Sequence, residues 1–309
     1  MKKVVIVNDI LGGCLGEKKV FWNYMLDSIP GLIGIDRTIV NENNFQQNVQ
    51  SYIDTVVGDC LVIQNATFIP KVHPNMPTIM FLQDNLRSMG RRDNQQEHNI
   101  SHCTYVVANS NTTKESYNEC VNTIIPIGID EQHFNKRETV PIDYDVGQYD
   151  KVGIFVGAFN DVKGWGQVLE TIRNRPDVFF ICVSKHEGDV CNEPNVKVFN
   201  KIDQDTLVNL LSIADFFILG SPVETQCLAA LEANFCGLPV IMNNTGIYMD
   251  WDDRDTFGVF GKDFSESIDI IYSKTWNTRS FIMNKGLSIS AMIDKWKTVI
   301  AKFGGYCGI

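Results

Sequence analysis

The sequence predicts an α/β protein of two domains, each built on a parallel sheet with helices packed across its faces. Three observations predict it. The chain has 309 residues, enough for two domains of roughly 150 residues that each bury a core. Short apolar runs of strand length alternate along it with stretches of helical period. Between residues 216 and 242 a strand, a break, a helix and a second strand follow so closely that they form a β-α-β unit, from which parallel sheets are built.

The elements follow in order. Residues 4–7 are an unbroken apolar run that reaches Asn8 and Asp9, which makes them a first strand and not the core of a leader peptide. Gly12, Gly13 and Gly16 form a loop into an amphipathic helix around Val20, Tyr24 and Leu26. Further strands are predicted at 60–64, 78–82, 105–108 and 123–125, with a helix at 112–120. Residues 135–150 are polar, contain Pro141 and Gly147 and have no period, as a linker does. The alternation then restarts: strand 151–156, helix 166–173, strands 178–183 and 196–199, helix 204–213, strand 216–219, a helix, strand 239–242, and helices at 265–273 and about 279–303.

Composition narrows the class. A hydrophobic fraction of 44% and a charged fraction of 21% are those of a folded globular protein. No apolar run approaches the roughly 18 residues that cross a bilayer. Nine cysteines without a C-x-x-C pair suggest neither a zinc site nor a disulfide framework, and free thiols in apolar segments imply a cytoplasmic protein. The net charge of −10 argues against a partner held by phosphate neutralisation, so no nucleic acid is expected. Arg87, Arg91 and Arg92 read either as a solvated helix face or as a patch for peripheral contact with an anionic membrane or an acidic acceptor.

The most informative residues are Glu224 and Glu232. Gly220, Ser221 and Pro222 break the strand 216–219, and a helix is expected to open at Thr225 or Gln226, with Leu228, Leu231 and Phe235 at helical spacing and Gly237 and Pro239 ending it. The free N–H groups at such a start favour a phosphate. Eight residues of helical rise give about 12 Å between the two carboxylates, a span that suits a ligand with a hydroxyl-rich sugar at each end and a diphosphate between. Taken alone, the pair reads better as a solvated helix residue and a first-turn partner of the dipole than as a binding site.

Other stretches decide between these. The pair resembles the glutamate-x7-glutamate motif of retaining GT-B glycosyltransferases, in particular family 4, glycosyl transferases group 1. Tyr105-Val-Val-Ala-Asn-Ser110, Ile124-Ile-Pro-Ile-Gly-Ile-Asp130 with Phe134, and Val152-Gly-Ile-Phe-Val-Gly157 followed by Lys163-Gly164 are similar to further motifs of that family, in the same order. The resemblance implies the GT-B architecture, two Rossmann-like domains with a donor/acceptor cleft between them: an acceptor domain 1–134, a linker 135–150, a nucleotide-sugar domain 151–278 and a C-terminal helix 279–309 crossing back to the first domain.

The resemblance also implies roles. The activity is transfer of a sugar from a nucleoside diphosphate sugar to an acceptor hydroxyl with retention, by a front-face route. Glu232 binds the ribose, Glu224 the transferred sugar, and the backbone of Asn200, Lys201 and Ile202 the base. Lys163 and the helix start at Thr225, Gln226, Cys227 and Leu228 meet the diphosphate, with Gly12, Gly13, Gly157 and Ala158 giving close backbone approach. Asp84 lies where an acceptor hydroxyl would be oriented or deprotonated. No cofactor is implied, and a metal is not expected to be required: Asp252-Asp253 and Asp143-Tyr-Asp145 read as surface, and His98 with His102 as helix residues. The acceptor, a glycan, a lipid or a small molecule, and the oligomeric state are not legible. Ala158 stands where the family commonly has Arg, and Thr225-Gln226-Cys227 where it has glycine-aromatic-glycine. These departures keep open a GT-B-like nucleotide-sugar epimerase and a non-catalytic sugar-nucleotide-binding protein.

Overall fold

The structure, a computed structural model, describes residues 4–7, 24–25, 27–29, 32–35, 60–64, 76–83, 100–117, 120–138 and 149–303. The chain divides into two units, one of Met1–Gly128 with Ile289–Ile309 and one of Ile129–Ser288.

The first unit is a six-stranded parallel sheet, with β1 (Val4–Val7), β2 (Leu32–Ile35), β3 (Cys60–Gln64), β4 (Thr78–Leu82), β5 (Tyr105–Ala108) and β6 (Thr123–Ile124) in the order β2-β1-β3-β4-β5-β6. All five residues of β4 are buried, the continuous burial expected of a parallel strand covered on both faces. Helix α1 (Asn111–Tyr117) starts where the Ser110 hydroxyl accepts from the Thr113 N–H at 3.1 Å, a side-chain cap of a free helix donor. The C-terminal helix, Ile289–Ala301, belongs to this unit: its buried Trp296 meets Phe81 of β4 edge to face at 5.1 Å.

The second unit repeats the plan. Its strands are β7 (Val152–Val156), β8 (Phe179–Ser184), β9 (Val196–Asn200), β10 (Phe216–Leu219), β11 (Val240–Met242) and β12 (Gly258–Phe260). Its helices are α2 (Trp165–Asn174), α3 (Gln204–Ile213), α4 (Leu228–Phe235), α5 (Phe264–Tyr272) and α6 (Thr278–Asn284). The sheet is parallel throughout, in the order β12-β11-β10-β7-β8-β9. Its core is aromatic: Phe155, Phe180, Phe216 and Phe217 are fully buried. Phe216 lies so close over Gly153 that a Cβ there would sit 2.6 Å from its ring. The chain runs outward from β7 through β8 to β9, then returns to β10 on the other side of β7. The β7/β10 boundary is therefore the topological switch point, where open α/β sheets place ligands at the carboxyl ends of the strands.

Several expectations need correction. The glutamate helix starts at Leu228, not at Thr225 or Gln226, because Cys227 has φ 66° and cannot continue a right-handed helix. The single helix expected at 279–303 is two, Thr278–Asn284 and Ile289–Ala301, separated at Gly286, whose φ of 63° is a left-handed stop. The units part at residues 128/129 and 288/289. On the second-unit side, the Ile129 N–H donates to the Leu287 carbonyl, and Arg279 donates to the carbonyls of Glu131, Phe134 and Phe235. Residues 129–134 and α6 are thus fastened into the second unit by backbone acceptors. Strands β2 and β12 were not expected at all.

Candidate functional site

Every described candidate from Gly157 to Glu232 lies in the second unit, in the segments that leave the carboxyl ends of β7, β9 and β10. After β7 the chain turns through Gly157 and Ala158 to a short 3-10 helix, Asp161–Lys163. The Asn160 side chain caps this turn, its oxygen accepting from the Lys163 N–H at 3.1 Å, and Gly164 ends it with φ 61°. Gly157 leaves room for Lys163: a Cβ there would stand 3.2 Å from the lysine stem.

Two glycines join this turn to the loop after β10. A Cβ on Gly164 would fall 1.8 Å from the Gly220 carbonyl oxygen, and one on Gly220 would fall 2.4 Å from the Gly164 oxygen. The backbones touch there, and only residues without a Cβ permit it. The contact brings Lys163 and Glu224 together across the switch point: Lys163 Nζ lies 2.7 Å from Glu224 Oε1, with the lysine side chain 35% exposed and the glutamate 12%.

The loop after β11 holds Glu224 from the other side. The Glu224 N–H donates to the Thr245 hydroxyl at 2.7 Å, and Thr245 is buried. Asn243 Nδ2 donates to the Gly220 carbonyl at 2.9 Å and to Gln167 Oε1 at 3.0 Å, tying the loops after β10 and β11 to α2. Gly246, with φ 74°, passes close to the β-carbon of Glu224. Beyond Cys227, α4 is buried almost all round: Leu228, Ala230, Leu231, Ala233, Asn234 and Phe235 are inside. Glu232 is half-buried on this helix, which removes the reading of it as a residue of a solvated polar face. Asn234 anchors the helix end, donating to the carbonyls of Leu238 and Phe257 and accepting from the Tyr248 hydroxyl at 2.7 Å.

The neighbouring strand ends form a second cluster. Asp189 Oδ2 accepts from the Ser184 hydroxyl at 2.5 Å and from the Phe159 N–H at 3.0 Å, joining the loops after β8 and β7. Burial pushes this carboxyl up, but the two hydrogen bonds outweigh burial and leave it below its ordinary value. Asn200 Nδ2 donates to the carbonyls of Glu187 and Asp189, and Lys201, at φ 52°, turns the chain into the segment that ends at Ile202.

Lys163, Gly157, Glu224 and the 225–228 segment are thus gathered at one sheet edge with Glu232 on the helix they lead into, and Asn200, Lys201 and Ile202 follow β9 at the same edge. Gly12, Gly13 and Asp84 lie outside the described residues, as do His98, Asp143, Asp145 and the three arginines. Lys201 pairs with exposed Glu187. Asp253 pairs with Lys285 at 2.6 Å. Among the described residues no group of three or more His, Cys, Asp or Glu is placed to hold a metal ion. Sequence reasoning missed Thr245, Asn243, Ser184 and Asp189. The available signal was positional, since each lies at or after the carboxyl end of a strand, at the edge where the candidates lie.

Residues 137–252 match the family model Glycosyl transferases group 1. No curated protein sequence matches the chain. Among solved structures, sucrose-phosphate synthase of Thermosynechococcus elongatus is similar at 13% identity and TM-score 0.78, over 98% of this chain and 99% of that one. HepE of Anabaena in complex with UDP-glucose gives 14%, 0.74, 98% and 100%. A glycosyltransferase of Rickettsia africae gives 15%, 0.74, 99% and 99%. At these identities the structures establish the fold, the two-sheet GT-B architecture. The fold and the domain define a nucleotide-sugar-dependent glycosyltransferase. Residues 137–252 carry a Glycosyl transferases group 1 domain, the domain of the retaining family 4.

Proposed function

We propose that the chain transfers a hexose from a UDP-hexose to an acceptor hydroxyl and that the second unit binds the donor at the switch point between β7 and β10. The observation that carries this reading is the Lys163–Glu224 pair, at 2.7 Å, held at that point by the contact of Gly164 with Gly220. UDP is favoured because HepE, of the same fold, is seen with UDP-glucose.

In this reading the diphosphate lies against Lys163 and the first free N–H groups of α4. Breakage of the anomeric bond builds negative charge on that diphosphate, and a cation and a helix start beside it stabilise that charge. Glu232 accepts from the ribose hydroxyls and Glu224 from those of the sugar, while the backbone of residues 200–202 faces the base. Lys163 and the helix start carry the charge that a metal would otherwise meet, so turnover persists in chelator. Asp84 orients the acceptor, a glycan, a lipid or a small molecule. Thiols pushed up by burial, Cys103 and Cys236 each to about 12, suit a reducing compartment such as the cytoplasm.

The reading is tested with a melting-shift screen of UDP-, GDP-, dTDP- and ADP-sugars, followed by assay of nucleotide release. UDP-hexoses are expected to give the largest shift, and Glu224→Ala and Lys163→Ala to lower the release rate by about 10² or more. Binding without release would contradict transfer, and isomerised sugar with no nucleotide lost would indicate an epimerase. No shift with any nucleotide sugar would overturn the donor site.

A further inference from the structure

We infer that Lys163 is shared in alternation between Glu224 and the donor diphosphate, so that the site binds a nucleotide sugar more tightly than the free nucleoside diphosphate. The inference rests on the donor-site reading above and deepens it.

The turn from Gly157 to Gly164 carries two charged residues, Asp161 and Lys163, so Lys163 is its one cation. In the structure that cation is engaged with Glu224. Glu224 is only 12% exposed, and among the described residues Lys163 is the cation paired with it. Its own N–H is fixed on buried Thr245, which holds the Glu224 backbone beside Lys163. A diphosphate that takes Lys163 therefore strips Glu224 of its counter-charge and adds negative charge beside it. Removing one partner from a largely buried ion pair is costly.

A nucleotide sugar resolves this conflict and a free nucleoside diphosphate does not. The sugar brings hydroxyl donors to Glu224 as the phosphates take the lysine, so both anions remain satisfied. After transfer the sugar is gone, Glu224 is left bare, and Lys163 is drawn back to it. The pair thereby couples recognition of the sugar to recognition of the diphosphate and favours release of the spent nucleotide.

Calorimetric titration of the full chain with UDP-glucose, UDP and UMP, without acceptor, tests this; if the screen selects another base, the corresponding three ligands of that base are used. In the wild type UDP-glucose is expected to bind at least about fivefold tighter than UDP. In Glu224→Gln, which keeps the shape and removes the charge, UDP should gain about tenfold and UDP-glucose should weaken, reversing the order. UMP, which lacks the second phosphate, should change by less than about twofold. The wild-type order needs no variant, so it stands as a test even if Glu224→Gln folds poorly. Binding of UDP as tight as UDP-glucose in the wild type, or no gain for UDP in Glu224→Gln, overturns the exchange and leaves the donor site standing. Absence of binding by all three overturns both.

Discussion

Lys201 and Cys227 hold φ angles of 52° and 66°, the positive values among the described non-glycine residues. Both fall in segments assigned to the donor, Lys201 after β9 and Cys227 at the start of α4. Left-handed backbone costs a residue with a Cβ about 1–2 kcal/mol, and such conformations cluster where a ligand needs a particular backbone shape. Lys201→Gly should therefore leave the melting temperature unchanged or slightly raised, whereas Lys201→Val, β-branched, should lower stability by about 1–2 kcal/mol in urea unfolding. Glu224, Glu232 and Lys163 stood out in the sequence through the family motifs that their segments resemble. Thr245 and Asp189 did not. Their roles depend on partners 21 and 30 residues away, Glu224 and Phe159, which only the sheet order brings together.

The contact of Gly164 with Gly220 joins two loops and fixes how Lys163 meets Glu224. A matched pair of substitutions isolates it. Gly164→Ala must displace the Gly220 carbonyl and also hold φ 61°, and it should lower both the melting temperature and the affinity for nucleotide sugar. Gly166→Ala, in the first turn of α2 with nothing within 4 Å of the added carbon, should stabilise by about 0.5–1 kcal/mol and leave binding intact. Nucleotide-sugar affinity unchanged in Gly164→Ala would show that the loop contact does not position the site. Strands β3, β4, β5 and β10 were legible to the residue as bounded apolar runs. The three residues of β12, Gly258–Phe260, are too short to show a period, and β2, Leu32–Ile35, is interrupted by Gly34. The start of α4 was misplaced because Thr225, Gln226 and Cys227 have no side chain that forbids a helix.

Across the molecule, charge and chain crossing set the stability. The Arg175 guanidinium beside Asp177, helped by Lys151, holds the Asp177 carboxyl far below its usual range. Arg175 also donates to the Ser265 carbonyl at the start of α5. A folded-state pKa below the unfolded one gives stability that is full above about pH 5 and fades as acid protonates the carboxylate. Asp177→Asn should accordingly lower the melting temperature at pH 7, with the gap to wild type closing below about pH 3. Trp296→Ala removes a fully buried ring from Phe81. It should cost about 3–5 kcal/mol and register in the unfolding of the first unit, although Trp296 is the residue more distant in sequence. In the sequence that return was legible from the resemblance alone; no local pattern in residues 289–301 says which sheet they cover.

The central claim, that a nucleotide sugar binds at the β7/β10 switch point, is tested most directly by a crystal structure of the chain with UDP-glucose. The account predicts diphosphate oxygens within about 3 Å of Lys163 Nζ, ribose hydroxyls on Glu232 and sugar hydroxyls on Glu224. A nucleotide bound elsewhere, with Lys163 and Glu224 still paired and untouched by it, would contradict it.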